Sequence, residues 1–284
     1  MSLKLMYITN EPEIAQIAER SGVDRIFIDL ETLGKEKRQK GLDTVKSQHE
    51  ISDISAVKAV LSSSGLLVRV NSIYEKSNEE IDSVIKAGAD IVMLPYFKTS
   101  DEVRRFLEYV NQRARTCLLI ETPEAVEHLE EIISLPGIDE VHIGLNDLHL
   151  GYKLDFMFEL LTNGTVEKII DRIKPYGIPY GFGGIAAIGK GIVPSEYIIG
   201  EHYRLGSGMA ILSRSFCDIS SFELYPKDTR LEIVNELFVE GVKKIRDLED
   251  SLKNKPARFF EVNRIITEET INRAVQIIKA GKKN

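Results

Sequence analysis

Short apolar runs alternate with amphipathic helical stretches through the first two-thirds of the chain, and that rhythm limits what it can fold into. The runs fall at 3–8, 25–31, 66–71, 91–95, 117–121, 141–144, 179–184 and 203–208. Each pairs with a following helix as a parallel βα unit. Eight such units predict an α/β fold, a (β/α)8 TIM barrel, in which the strand ends share one face and chemistry is done there.

The punctuation agrees. Asn10 is placed to cap the first helix, Pro12 falls in its first turn, and Gly22 ends it. Thr99 and Glu102 form a T-x-x-E capping box, and Thr122–Pro123 is a natural helix start. The helix after strand six is expected to break near Asn163 and Gly164. The rhythm itself breaks over 32–52, which is charged and without period: either a binding element or lid on the active face, or a solvated insertion.

Beyond the barrel the chain is expected to be helical. Leu231, Val234, Leu237, Phe238, Val242, Ile245, Leu248 and Leu252 form an apolar stripe, Pro256 interrupts it, and Thr267 starts a last helix with Ile271, Val275 and Ile278. The expected division is a barrel over 1–226 and a C-terminal helical extension over 227–284. A barrel needs one helix after its eighth strand, so the surplus apolar face is expected to meet another copy in a homo-oligomer.

Length and charge narrow the function. A chain of 284 residues with a formal charge of −7 argues against a nucleic-acid partner. Without a long apolar run there is no expected signal peptide or membrane span, and the expected location is cytoplasmic. Cys117 and Cys217 lack metal-ligand spacing and are expected to be buried thiols.

The chemistry-bearing residues cluster at strand ends. Glu121 closes strand five and Asp147 follows strand six, so the two can meet at the mouth and hold a hard divalent cation, Mg2+, Mn2+ or Co2+, through oxygen. The alternative is a polar rim and a helix cap. Arg69 ends strand three among valines and either holds a substrate oxygen or pairs with Asp29 or Glu31, which alternation puts on one side of strand two. His49, inside the insertion, is a candidate general base. His142 is expected to face the helix layer, and His149 lies just past Asp147. Gly183, Gly184 and the glycine-rich run to Gly191, with Lys190, can receive a phosphate or a distal carboxylate, or can simply pack tightly. Lys98 is a candidate Schiff-base lysine.

Taken together, IFIDLE, LLVRVN, GADIVMLPYFKT, LLIETPEAV and GIDEVHIGLNDL resemble the HpcH/HpaI aldolase/citrate lyase family, within the phosphoenolpyruvate/pyruvate barrel superfamily. The separation of Glu121 from Asp147 equals that of the family's metal-binding Glu and Asp. The resemblance implies a divalent metal on these two, Arg69 at the pyruvate end, and backbone N–H groups near Asn146 and Asp147 receiving the substrate carboxylate. It also implies oligomers. One departure stands out: Thr32 occupies the place where the aldolase branch carries its acid/base histidine, so His49 or the nearby Lys35 and Arg38 are candidate substitutes.

The expected activity is a metal-dependent carbon–carbon lyase of the class II aldolase kind. It would cleave or form a 2-oxo acid of the pyruvate or oxaloacetate type through a metal-stabilised pyruvate enolate, with an aldehyde or an acyl-CoA as the other partner. The competing readings are a citrate-lyase-like CoA-ester lyase, a non-catalytic barrel that binds metal and oxo acid, and a Schiff-base aldolase.

Overall fold

The computed structural model describes residues 2–34 and 49–281. Lys35 and Arg38 lie outside them. The strands are β1 (Lys4–Ile8), β2 (Arg25–Asp29), β3 (Gly65–Arg69), β4 (Ile91–Leu94), β5 (Arg115–Ile120), β6 (Glu140–Ile143), β7 (Tyr180–Phe182), β8 (Gly184–Ile185) and β9 (Met209–Leu212). The helices are α1 (Pro12–Arg20), α2 (Ile51–Lys58), α3 (Ser77–Lys86), α4 (Ser100–Val110), α5 (Pro123–Glu127), α6 (Leu129–Ile133), α7 (Leu145–Gly151), α8 (Glu159–Thr162), α9 (Thr165–Ile173), α10 (Ser195–Leu205), α11 (Lys227–Leu252) and α12 (Ala257–Gly281).

All strand pairs are parallel, and the order β7-β6-β5-β4-β3-β2-β1-β9-β8 is that of a barrel. Strand seven is split at Gly183: β7 bonds to β6, and β8 bonds to β9. Gly208 N–H donates to Tyr180 O at 2.8 Å and Ser213 N–H to Ile185 O at 2.8 Å, which stitches the seam. The (β/α)8 expectation is therefore met.

Alternation sorts the core. Met6, Phe27, Leu67, Met93, Cys117, Leu119 and Met209 fill the barrel interior. Leu5, Ile26, Ile28, Leu66, Val68, Leu118 and Ile120 face the helices. At the floor the Arg25 guanidinium meets Glu140 at 2.5 and 2.8 Å, and Arg115 joins Glu140 at 3.2 Å. Burial pushes the Cys117 thiol up, and that of Cys217 to about 11, so both are inert buried thiols as expected.

The capping box at Thr99, the cap at Thr122 and the break at Gly164 stand as expected. Three expectations fail. Residues 203–205 close α10 rather than opening a strand: Ile198, Ile199, His202 and Leu205 are buried with helical spacing, Gly206 is the left-handed cap, and the strand is β9. The last helix starts at Ala257, directly after Pro256, and Thr267 is buried within it. The N-cap of α1 is Glu11, while Asn10 donates to Asp53 instead. α11 packs on α1, and α12 folds back over α10 and α8. Among the described residues no helix is long and apolar enough to cross a membrane.

His142 also corrects an expectation. β6 starts at Glu140, so Val141 and Ile143 take the helix-facing positions and His142 shares the inward phase of Glu140. Its Nε2 lies 3.1 Å from Gly183 O. Nearby, His202 stacks on Phe182 with centroids 3.9 Å apart and pairs Nδ1 with the Ser207 hydroxyl at 2.7 Å. Burial lowers both histidines: His142 to about 4, with Arg25 and Arg69 adding, and His202 to about 3, with His142 adding. Unfolded histidines take up protons near pH 6.5, before the folded ones do. Stability is thus full above that pH and falls below it by about 1.4 kcal/mol per pH unit for each histidine. Urea unfolding at about pH 7.5 and about pH 5 is expected to show the loss, with a clearly shallower dependence in His202→Gln. A variant with the wild-type pH dependence would contradict this source.

Candidate active site at the barrel mouth

The inward phase of β2 runs from Phe27 to Asp29 and on to Glu31, and that of β3 ends in Arg69. The ladder pairs Asp29 with Arg69, so their side chains emerge at one height. Arg69 donates from Nε to Asp29 Oδ1 and from Nη2 to Oδ2, both at 2.9 Å, a bidentate fork. Glu31 Oε2 lies 3.5 Å from the same Nε, and the guanidinium carbon sits 5.5 Å from the centre of the Phe27 ring. Burial alone would lower Arg69. The Asp29 charge and hydrogen bonds, with Glu31 and Glu121, outweigh it and hold the guanidinium above its ordinary value. The ion pair read from the sequence is present.

Glu121 follows β5 in the inward phase of Cys117 and Leu119 and is 3% exposed. Tyr96 N–H donates to its Oε1 at 3.0 Å. Tyr96 holds that N–H from a left-handed backbone with φ 50°, unusual for a residue with a side chain and a mark of a constrained site. On the other side, the end of β6 presses close. Gly144 N–H bonds Ile120 O at 2.9 Å, and a Cβ on Gly144 would lie 2.8 Å from Glu121 Oε2. Asp147 then sits in the first turn of α7 and is also buried, whereas Asn146 is exposed.

Asp29, Glu31 and Glu121 thus gather around Arg69 at the mouth, and Asp147 is buried in the first turn of α7. Such an acidic rim suits a hard cation, and the donors are all oxygen. Among the described residues no cluster of three or more metal-type side chains forms.

His49 returns to the mouth from the insertion. Its Nδ1 accepts the Asp29 N–H at 3.0 Å. Thr32 and Leu33 give their N–H groups to Asn71 Oδ1, each at 2.9 Å, while Asn71 donates to Glu80 at 2.8 Å. A cavity of about 590 Å3 opens beside them, lined by His49, Thr32, Asn71, Tyr74, Lys76 and Glu80. His149 bonds the carbonyl of Leu145 in its own helix at 3.2 Å. Lys98 pairs with Glu124 at 2.7 Å, which holds its ammonium above the ordinary range, the wrong direction for a Schiff-base amine. Gly183 and Gly184 form the break in strand seven, and Lys190 is exposed beyond them. Tyr96, Gly144 and Asn71 were missed from the sequence. A glycine one residue past the end of β6, in the inward phase of Glu140 and His142, was the available signal for Gly144. Tyr96 acts through its backbone, which no side-chain pattern reports.

The model of the HpcH/HpaI aldolase/citrate lyase family matches residues 4–174. A 4-hydroxy-4-methyl-2-oxoglutarate aldolase of Chaetomium globosum is 22% identical over 207 residues, covering 61% of this chain and 72% of that protein. The solved HpcH/HpaI aldolase from Desulfitobacterium hafniense superposes with a TM-score of 0.58 at 16% identity, over 80% of this chain and 95% of that one. A family protein from Burkholderia cenocepacia gives 0.57 at 16% identity, over 82% and 95%. At such identities the two structures show a shared fold.

Gly144→Ala is expected to force Glu121 aside and to destabilise the protein by about 1–3 kcal/mol, read by urea unfolding. Wild-type stability in that variant would show that the carboxylate has room to move.

Proposed function

Because the chain belongs to the HpcH/HpaI aldolase/citrate lyase family, we propose that it is a carbon–carbon lyase that cleaves or forms a 2-oxo acid, with Glu121 and Asp147 holding a divalent cation. The observation that carries this reading is the Arg69–Asp29 fork at the strand-end face that also bears the two buried carboxylates. The aldolase relative points to a 4-hydroxy-2-oxo acid as the substrate class.

In the cleavage direction the bond between C3 and C4 breaks and its electrons enter the pyruvate fragment as an enolate. The 4-hydroxyl gives its proton to water and becomes the carbonyl of the second product. Protonation at C3 then gives pyruvate. A divalent cation, when bound, polarises the 2-oxo group. Arg69 offsets the charge that develops on the substrate oxygens. Asp29 occupies the Nε hydrogen and one Nη2 hydrogen, so the fork is pre-set and contact with substrate falls to Nη1 and the second Nη2 hydrogen. The backbone N–H groups at the start of α7, near Asn146 and Asp147, take the substrate carboxylate.

His49 stands in for the histidine that Thr32 replaces. Its Nδ1 already accepts the Asp29 N–H, so the neutral ring carries its proton on Nε2. That supports a donor role toward a substrate oxygen. Acting as a base at Nε2 would require giving up the Asp29 bond. The apolar stripe expected to meet another copy is covered within the chain instead, with Val234, Phe238, Val242, Ile245 and Leu252 buried, so we propose self-association through the outward face of α12, where Phe259, Val262 and Ile266 are exposed.

With Mg2+, Mn2+ or Co2+, the protein is expected to release pyruvate from 4-hydroxy-4-methyl-2-oxoglutarate or a related 4-hydroxy-2-oxo acid. Glu121→Gln should lower the rate by about 100-fold or more. A folded, metal-loaded protein inert toward these acids, and unable to exchange the α-protons of pyruvate, would overturn the lyase reading. Turnover of a hydroxyacyl-CoA instead would move it to the thioester branch. For the α12 face, light scattering is expected to report a mass above 32.0 kDa that falls in Val262→Glu. A monomeric wild type would remove that part.

A further inference from the structure

Gly183 is where strand seven changes partners, and its peptide is held from three sides. Its N–H donates to Ile143 O at 2.9 Å, on β6. Its carbonyl accepts the Ile211 N–H at 3.3 Å, from β9, and meets His142 Nε2 at 3.1 Å. The backbone there is left-handed, φ 52°, and a Cβ would come within 2.7 Å of Leu145 Cδ1. A glycine is thus required both by the conformation and by the approach of α7.

A carbonyl can only accept, so His142 must carry its proton on Nε2. The other nitrogen, Nδ1, is buried and has no hydrogen-bond partner among the described residues. The tautomer is therefore set by one bond, and that bond goes to the bend where strand seven passes from β6 to β9, just before the glycine-rich loop. Glu140, one inward position below, serves the floor through Arg25. His142 does not join that network. Its bond ties β6 to the kink at the mouth.

We infer that His142 is a positioning residue, whose Nε2–H fixes the Gly183 peptide and so aims the Gly183–Gly184 turn at the distal end of a bound 2-oxo acid. The substrate half of this assignment rests on the lyase reading above. The tautomer half does not.

Three variants test it. His142→Leu keeps bulk and removes the donor. His142→Gln carries an amide N–H to about the place of Nε2, and His142→Asn falls short of it. The expected result is a KM for the 2-oxo acid raised about tenfold in Leu and Asn, with kcat within about twofold, and near-wild-type KM restored in Gln. An unmoved KM in Leu, a kcat loss at constant KM, or a Gln variant no better than Leu would each overturn it. Should Leu fail to fold, the Gln and Asn pair decides. In the wild type, 15N-labelled histidine is expected to show this ring protonated at Nε2 and bare at Nδ1. A proton on Nδ1 overturns the assignment without any turnover measurement. A wild type inert toward every 2-oxo acid would remove the lyase reading and the substrate half together, whereas normal turnover with unmoved KM removes the His142 role alone.

Discussion

A guanidinium inside a barrel must have its charge answered at close range, and Arg69 is answered by Asp29 through two hydrogen bonds of 2.9 Å. Removing one partner of a buried pair of this kind costs about 3–5 kcal/mol, because the other charge is left in a poor solvent. The pair also specifies register. Asp29 and Arg69 are ladder partners, so the backbone bonds and the ion pair demand the same alignment of β2 and β3. A slip of one residue would turn one of the pair toward the helices and separate the two.

The two ends of the barrel solve the same problem differently. At the floor, Arg25 and Arg115 close on Glu140, with the Met6 and Met209 sulfurs 4.0 Å from the Arg25 guanidinium. At the mouth, acidic groups gather around Arg69, and two strained or crowded backbone positions, Tyr96 and Gly144, fix one of them in place. The two ends of the barrel therefore differ, with a buried ion pair at the floor and carboxylates gathered around Arg69 at the mouth.

Most of the architecture was legible because the strands are short, apolar and bounded by glycine, proline or caps. The failures have local causes. In YRLGSG the apolar residues are sparse enough that Gly206, a helix cap, passed for part of a strand, while the helical spacing of Ile198, His202 and Leu205 lay upstream. His142 was turned the wrong way because Glu140 was not recognised as the first inward residue of its strand. A buried glutamate is not an obvious strand start until its partner Arg25, far away in sequence, is known. The acidic rim and Arg69 could be read from spacing. The return of His49 to Asp29 could not, since it depends on a backbone N–H left at the edge of β2.

The pairing of β1 with β9 has a consequence for how the molecule is made. Lys4 aligns with Met209 and Tyr7 with Leu212, so one edge of the first strand has no neighbour until almost the whole barrel has left the ribosome. Even then, Leu3 N–H finds its acceptor only when Glu249 of α11 arrives. At about 5–20 residues per second, that edge waits on the order of 10–40 s during translation. The nascent chain must shield it for that interval, and the mouth cannot assemble as a closed ring while synthesis is still short of β9.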